Sequence, residues 1–555
     1  MSAAEDTPPV STHFDAIIIG AGFGGLRMIY ELRQRGLSLR LFEAASDVGG
    51  TWYWNRYPGA RTDTEAWAYC FSFSKELQDE WDWPERMPTA PQMRDYLGHV
   101  ADRFDMRKDI QFNSRIRSAI YNEAENSWTV TTEHGDSFSC TYLISASGLL
   151  TIPVKPPFPG VDDYQGELLL SSRWPKEPVS FAGKRVALLG SGSTAVQMLP
   201  VIARSAEHVT IFQRTPSYVL PGRNYPLDDA EREEIRTNYD KLWSQVRNHV
   251  FAFPMTPANR IARGTPSDEQ QRVFESGWEK GGFRYIFETF DDLLVDEESN
   301  AIASEFVRNK IRAIVDDPKT AELLCPTYPL MVKRPAVSNF YYECFNKENV
   351  SLVDLNSQPI ETFSETGIRY GGENHEFDIV ISALGFDAVT GTLTNIDLRG
   401  RNGLTMKDRW AEGPRTYLGM MVDGFPNMFM ISGPQSPFAN IPPVIEGAVL
   451  WIGEAIAQIQ KIENGAMEPN PEAVERWRAH MNEILDATIL RKGEAVHCWF
   501  LGANIPGKPH EVLFYLGGAN QYFGELDRSK ESGFSGFTIG ASPRARDAML
   551  ERQAS

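Results

Sequence analysis

The sequence predicts an α/β chain of two Rossmann-like dinucleotide-binding domains, the second inserted in the first and carrying a helical subdomain. Three observations predict it. A strand, a glycine-rich turn, a helix and a second strand occur in that order twice, at 14–43 and at 184–216. Two further apolar runs lead into a glycine, CTYLISASGLL at 140–150 and FDIVISALGFDA at 377–388. Between 227 and 315, apolar residues recur at helical spacing among many charges, as in LDDAEREEIRTNYDKLWSQV and SEFVRNKIRAIV.

The first unit reads FDAIIIGAGFGGLRMIYELRQRGLSLRLFE. A β-rich run from Phe14 to Ile19 meets Gly20-x-Gly22-x-x-Gly25. An amphipathic helix and an apolar strand ending at Glu43 follow. The glycines permit a tight turn and let backbone N–H groups approach a pyrophosphate, and the helix N-terminus favours its charge. Such a pattern is weak alone; its place between strand and helix, in a unit of roughly thirty residues, gives it meaning. Glu43 stands roughly twenty residues past the first glycine, where a carboxylate accepts from ribose hydroxyls and repels a 2′-phosphate. This site suits FAD or NAD.

The second unit, KRVALLGSGSTAVQMLPVIARSAEHVTIFQRTP, runs from strand 185–189 through Gly190-x-Gly192-x-x-Ala195 to strand 209–212. Its second strand ends without an acid, in Gln213, Arg214 and Thr215. A guanidinium beside a hydroxyl suits a 2′-phosphate and points to NADPH; the alternative is that Arg214 is a solvated surface charge. FAD first and NADPH second is the order of flavin oxidoreductases, a likeness of arrangement only. The two glycine-ended strands read as crossings between domains. The FAD-binding domain is then expected at 1–152 and, with the C-terminal region, at 385–555. The NADPH-binding domain takes 153–226 and 331–384, with the helical insertion at 227–330. That insertion either covers a substrate cleft or is packing. WFLGANIPGKP, 499–509, is dense in Gly and Pro and reads as a loop.

Composition bounds the rest. A chain of 555 residues, 42% apolar and 23% charged, is an ordinary globular protein. A net charge of −19 argues against nucleic acid and anionic membrane surfaces as partners. No apolar run is long enough to span a bilayer, and MSAAEDTPPV lacks the basic-then-apolar pattern of a signal peptide. Five scattered cysteines without Cys-x-x-Cys fit free thiols in a reducing cytoplasm and count against a flavin disulfide reductase. The nine histidines show no metal-ligand spacing, and no G-x-S-x-G elbow appears, so neither a metal site nor a hydrolase is expected. A monomer or weak homo-oligomer is expected.

The stretch GGTWYWNRYPGARTD, 49–63, crowds four aromatics, two arginines and a proline before one carboxylate, Asp63. It fits G-G-x-W-x-x-x-x-Y-P-G-x-x-x-D and resembles the type I Baeyer–Villiger monooxygenases, most of all their phenylacetone, steroid and large-ring ketone branch. VKRPAVSNFYYECFN (332–346), PRTYLGMMVDGFPNMFMISGPQSP (414–437) and WFLGANIPGKP extend the resemblance over essentially the whole chain. It implies an enzyme that reduces FAD with NADPH, forms a flavin C4a-peroxide from dioxygen and converts a small-molecule ketone to an ester or lactone. It implies Arg334 as the catalytic arginine, held by Asp63, both at the flavin. A guanidinium stabilises the negative charge of that chemistry by roughly 4 kcal/mol at about 4 Å and an effective dielectric near 20. It also implies Thr51, Trp52 and Tyr69, with Glu43, as flavin contacts. Ser191, Gly192, Ser193, Thr194, Ala195 and Gln197, with Arg214, Thr215 and Lys333, are implied at NADPH. Trp499 matches a tryptophan of a mobile loop that closes on NADPH.

Two departures stand out. The family's F-x-G-x-x-x-H-x-x-x-W-P reads here from Tyr164 to Pro175, with Leu170 in place of the histidine. A titratable linker group becomes aliphatic, which bears on coupling between NADPH and the peroxide chemistry. Leu384 replaces a usual threonine and is expected to alter local packing only. Other outcomes of the same flavin chemistry stay open: a sulfide or amine oxygenase, a hydroxylase, or an uncoupled NADPH oxidase.

Overall fold

A computed structural model describes residues 12–541. The amino-terminal stretch read above for a leader lies outside them. Two sheets carry the architecture. The larger has eight strands, ordered Asp397–Arg399, Ile116–Asn122, Ser127–Thr132, Ser137–Ser145, His13–Ile19, Leu39–Phe42 and Ile110–Gln111, with Met428–Met430 also paired to Ser137–Ser145. The second has five parallel strands, ordered Val350–Asp354, His208–Gln213, Arg185–Leu189, Ile379–Ser382 and Glu167–Leu170. Each is Rossmann-like, and strands from far along the chain complete both.

The two sheets share one device. Gly20 follows the strand His13–Ile19 with φ +104°, and a Cβ there would lie 2.6 Å from the Ala146 carbonyl oxygen. Gly190 follows Arg185–Leu189 with φ +116°, and its Cβ would lie 2.6 Å from the Ala383 carbonyl oxygen. Ala146 and Ala383 directly follow the two strands that lead into glycine, singled out in the sequence. Those strands press on the dinucleotide turns, and only glycine fits beneath them. The strands are buried on both faces, as their unbroken apolar runs require (Ile17, Ile18, Val186 and Leu188 are all fully buried).

Between the sheets' strands lies a helical region with helices at Asp229–Thr237, Tyr239–Asn248, Ser267–Lys280, Glu297–Ile314 and Pro318–Leu324. The stretch of helical spacing from 227 forms two helices, broken at Asn238 (φ −108°, ψ 11°), whose side chain donates to the Glu234 carbonyl at 2.8 Å. The loop of 49–63 contains a helical turn, Thr51–Trp54. A three-stranded antiparallel sheet, Ile360–Ser364, Gly367–Tyr370 and Glu373–Glu376, escapes the sequence reading, because its short strands are mostly polar. Leu384 packs against the cluster of Tyr164, Leu189 and Phe212. The five cysteines are free and buried. Among the described residues no helix is long and apolar enough to cross a membrane, and no group of His, Cys, Asp and Glu could hold a metal ion.

Candidate functional site

Asp63 and Arg334 are 271 residues apart in sequence and meet in space: Arg334 Nη2 donates to Asp63 Oδ2 at 2.5 Å. Each partner is delivered by a braced loop. Thr62 N–H donates to the Pro88 carbonyl, and the Thr62 hydroxyl to the Thr64 carbonyl, which fixes the backbone on both sides of Asp63. Upstream of Arg334, the Leu330 N–H donates to Asn300 Oδ1 and Ser304 Oγ, both on the helix Glu297–Ile314. Met331 then turns in the left-handed region (φ 73°), a strained conformation that the brace holds. The Arg334 guanidinium lies 5.0 Å from the Phe283 ring centre and 5.9 Å from that of Phe438, both within cation–π range.

One buried ion-pair network backs this pair. Glu65, two residues past Asp63, is about 2% exposed and pairs with Arg86 at 2.9 Å and Arg284 at 3.2 Å. Arg284 also pairs with Glu288 at 2.5 Å, and it follows Phe283 directly. Burial works against the Glu65 carboxylate, but the Arg284 and Arg86 charges outweigh it and hold the carboxyl below its ordinary value.

The first dinucleotide turn is open to an anion. Gly22 caps the helix Phe23–Gln34 with no side chain at its orphan N–H groups. Gly25 lies so close under Gly20 that a Cβ would meet the Gly20 carbonyl oxygen at 1.9 Å. Glu43 is tied into the turn. Its two oxygens accept from the Ala21 and Ala45 N–H groups, both at 2.7 Å, and burial pushes its carboxyl up. Thr51 is exposed. Trp52 packs edge-on to Tyr69 at 5.7 Å. Its indole N–H is buried without a well-formed hydrogen bond, although near enough to the Tyr69 phenol to influence it. Burial and the Asp63 charge push that phenol up, so it stays a donor. An unsatisfied buried donor beside an uncapped helix end fits a polar, anionic cofactor such as FAD.

The second turn repeats the arrangement. Gly192 caps the helix Ser193–Ile202 without a side-chain cap, nothing stands within 4 Å of the place its Cβ would take, and Ser193 is exposed. Thr194 is half-buried beside it, and Ala195 is buried beneath. Ser191 Oγ donates to the Thr215 carbonyl at 2.7 Å, which ties the turn to the end of the second strand. Arg214 is exposed. Lys333 lies near it: burial holds the Lys333 ammonium below the ordinary lysine range, and Arg214 adds to that. Among the described residues neither cation has a carboxylate within ion-pair distance. Two neighbouring uncompensated cations fit the 2′-phosphate of NADPH.

Gln197 is held within the protein. Its Oε1 accepts from the Tyr57 phenol at 2.9 Å and its Nε2 donates to the Arg61 carbonyl at 3.1 Å, so its amide joins the second unit to the 49–63 stretch. Burial pushes the Tyr57 phenol up to about 12, which keeps it a donor. Trp499 stands in a short turn, its ring 6.0 Å from Phe438, which itself lies over Arg334. The loop that follows is pinned: Lys508 pairs with Asp387 at 2.6 Å and Asn504 donates to the Phe386 carbonyl. Leu170 ends an edge strand, in register with Ser382. The linker after it is held instead by Arg173, which donates to the Thr151 carbonyl at 3.0 Å and lies 4.5 Å over Trp54.

Sequence reasoning missed the aromatic wall of Phe251, Phe253, Phe283, Phe287 and Phe438, and the Glu65–Arg284 network. Its one local signal was the repeated phenylalanine of HVFAFP.

Comparison with known proteins gives a consistent picture. A family described as flavin-binding monooxygenase-like matches residues 15–231. A Baeyer–Villiger monooxygenase of Pseudooceanicola batsensis is 45% identical, over 96% of this chain and 97% of its own. A phenazine N-monooxygenase of Lysobacter antibioticus is 42% identical, over 96% of this chain and 98% of its own. The crystal structure of cyclohexanone monooxygenase from Rhodococcus sp. Phi1 bound to NADP+ superposes with a TM-score of 0.93 at 40% identity, covering 96% of this chain and 100% of that one.

Proposed function

The chain belongs to the flavin-dependent Baeyer–Villiger monooxygenases, and on that premise we propose how its own residues divide the work. It binds FAD and NADPH and oxidises ketones to esters or lactones. The bound flavin, reduced by NADPH, supplies the activated oxygen. Dioxygen is the co-substrate, and the protein works in the cytoplasm as a monomer or weak homo-oligomer. The two dinucleotide units divide at 1–152 with 385–555 for FAD, and 153–226 with 331–384 for NADPH, the helical insertion filling 227–330.

Arg334 holds the negative charge that develops on the ketone oxygen, and Asp63 orients the guanidinium. The observation that carries this is the 2.5 Å Arg334–Asp63 contact with the Phe283 and Phe438 rings over the same guanidinium. Two rings beside a fixed charge suit a molecule with an apolar body and one polar carbonyl. Gly20, Gly22 and Gly25 receive the FAD pyrophosphate, with Thr51, Trp52 and Tyr69 around the ring system and Glu43 holding the turn. Gly190 to Ala195 receive the NADPH pyrophosphate, with Thr215, Arg214 and Lys333 at the 2′-phosphate. Trp499 closes the nicotinamide side.

Incubation with NADPH, air and a panel of linear, cyclic, aromatic and steroid ketones tests the reading. A product heavier by one oxygen and identified as an ester is expected; NADPH loss matched by hydrogen peroxide, with every ketone untouched, would refute it. The phenazine relative favours a second reading, nitrogen oxidation. Turnover of an N-heterocycle that rises as pH falls, with no ester from ketones, would favour it. Arg214→Ala is expected to raise the Michaelis constant for NADPH by about tenfold or more, the worth of one charge-assisted contact. That for NADH should stay near its wild-type value. An equal change in both would remove Arg214 from the 2′-phosphate.

A further inference from the structure

The turn that follows the helix Tyr239–Asn248 is built around one imidazole. His249 is about 3% exposed, and its Nδ1 accepts from two backbone N–H groups, Phe251 at 3.1 Å and Phe253 at 3.4 Å. Between them Ala252 sits at φ 52°, a region that a non-glycine residue enters at a cost. The carbonyls of the turn are also taken: Val250 accepts from the Ala519 N–H, Phe251 from the Asn440 N–H, and Ala252 from Asn440 Nδ2. Asn440 Nδ2 also donates to the Ala68 carbonyl at 2.6 Å. The backbone is therefore clamped from outside by Asn440 and from inside by His249.

What the clamp presents is a pair of rings. Phe251 lies 5.8 Å from Phe438, and Phe253 stacks at 5.4 Å on Phe283. Phe438 and Phe283 are the two rings over the Arg334 guanidinium. A path of direct contacts thus runs from the imidazole, through two backbone amides and four rings, to the group assigned to the ketone oxygen.

We propose that His249 is a positioning residue for the ketone, its Nδ1 fixing the Phe251–Phe253 turn and so the aromatic wall that turns the carbonyl toward Arg334. This rests on the assignment of Arg334 made above. Two N–H donors at Nδ1 require the ring proton to be on Nε2. Burial pushes the imidazole down to about 4. Of the charged groups facing it, Glu288 and Asp291 oppose that shift and Arg284 adds to it. The acceptor therefore persists across the neutral range.

His249→Ala is expected to raise the Michaelis constant for a bulky ketone by about tenfold, the worth of two lost backbone hydrogen bonds. It should also change the ratio of the two esters formed from an unsymmetrical ketone. The Michaelis constant for NADPH and the rate of NADPH oxidation without ketone should stay at wild-type values. His249→Asn, whose Oδ1 reaches the place of Nδ1, is expected to restore both readouts. Ala252→Gly in the alanine background should do so in part, since glycine adopts that φ freely. Wild-type kinetics and ester ratio in His249→Ala, or equal behaviour of the Asn and Ala variants, would overturn the proposal. If His249→Ala does not fold, His249→Asn against His249→Gln carries the test, because Gln moves the acceptor by one carbon; identical ester ratios would again overturn it. Absence of ester from the wild type counts against the function proposed above. Hydrogen exchange then judges His249 alone: slow exchange at the Phe251 and Phe253 amides, lost in the Gln variant, supports it, and fast exchange in the wild type overturns it.

Discussion

Arg334→Ala is expected to cut ester formation by about 10²–10³-fold, the usual loss when one preorganised stabiliser of a developing oxyanion is removed. The change leaves Asp63 without its cation and the ketone oxygen without its counter-charge. It leaves both glycine turns, Lys333 and Arg214 untouched, so NADPH should still bleach the flavin at close to the wild-type rate. Arg334→Lys keeps the charge but not the planar fork that Asp63 grips, and it should fall between the two. The decisive comparison is stopped-flow flavin reduction against ester by mass in the same preparation. Near-wild-type ester from the alanine variant would sink the assignment. Slow reduction together with lost ester would move Arg334 to NADPH binding.

Glu65→Ala should be among the most destabilising single changes in the chain. It leaves Arg86, about 6% exposed, without its carboxylate and Arg284 with Glu288 alone. Breaking a buried pair in this way costs about 3–5 kcal/mol. The sign of its pH dependence follows from the carboxyl being held below its ordinary value of 4.5. Its contribution is present above pH 4.5 and is lost as pH falls through the lower folded-state value. The gap in urea midpoint between wild type and Glu65→Gln should therefore be widest at neutral pH and close in acid. A gap that stays constant with pH would mean that the network contributes through packing, not charge. Because Arg284 adjoins Phe283, loss of Glu65 should also loosen the ring over Arg334 and raise the ketone Michaelis constant.

Both glycine turns were legible because their physics is local: strand, turn and helix N-terminus lie within one short segment, and the pattern needs no partner to be recognised. The pairing of Asp63 with Arg334 was not legible from spacing, since 271 residues separate them; only likeness to a family brought them together. The aromatic wall was invisible for a further reason. Phe251, Phe283 and Phe438 come from three distant segments, and a buried phenylalanine in sequence looks the same whether it packs a core or lines a pocket. The tie from Gln197 to Tyr57 and Arg61 was equally unreadable, since its partners lie 140 and 136 residues away. The split at Asn238 follows from local chemistry that competes with the helix: its amide donates to a carbonyl one turn back, at the point where the backbone leaves helical angles.

Gln197 also joins the second dinucleotide unit to the segment that leads to Asp63. Its amide is held at one end by Tyr57 and at the other by Arg61, and Gly59 lies so close beneath that a Cβ would sit 2.3 Å from the Gln197 carbonyl oxygen. The segment from Tyr57 to Arg61 and the helix Ser193–Ile202 are therefore one mechanical part. Asp63 lies two residues beyond Arg61, so the carboxylate that grips Arg334 sits at the end of a segment anchored on the helix Ser193–Ile202.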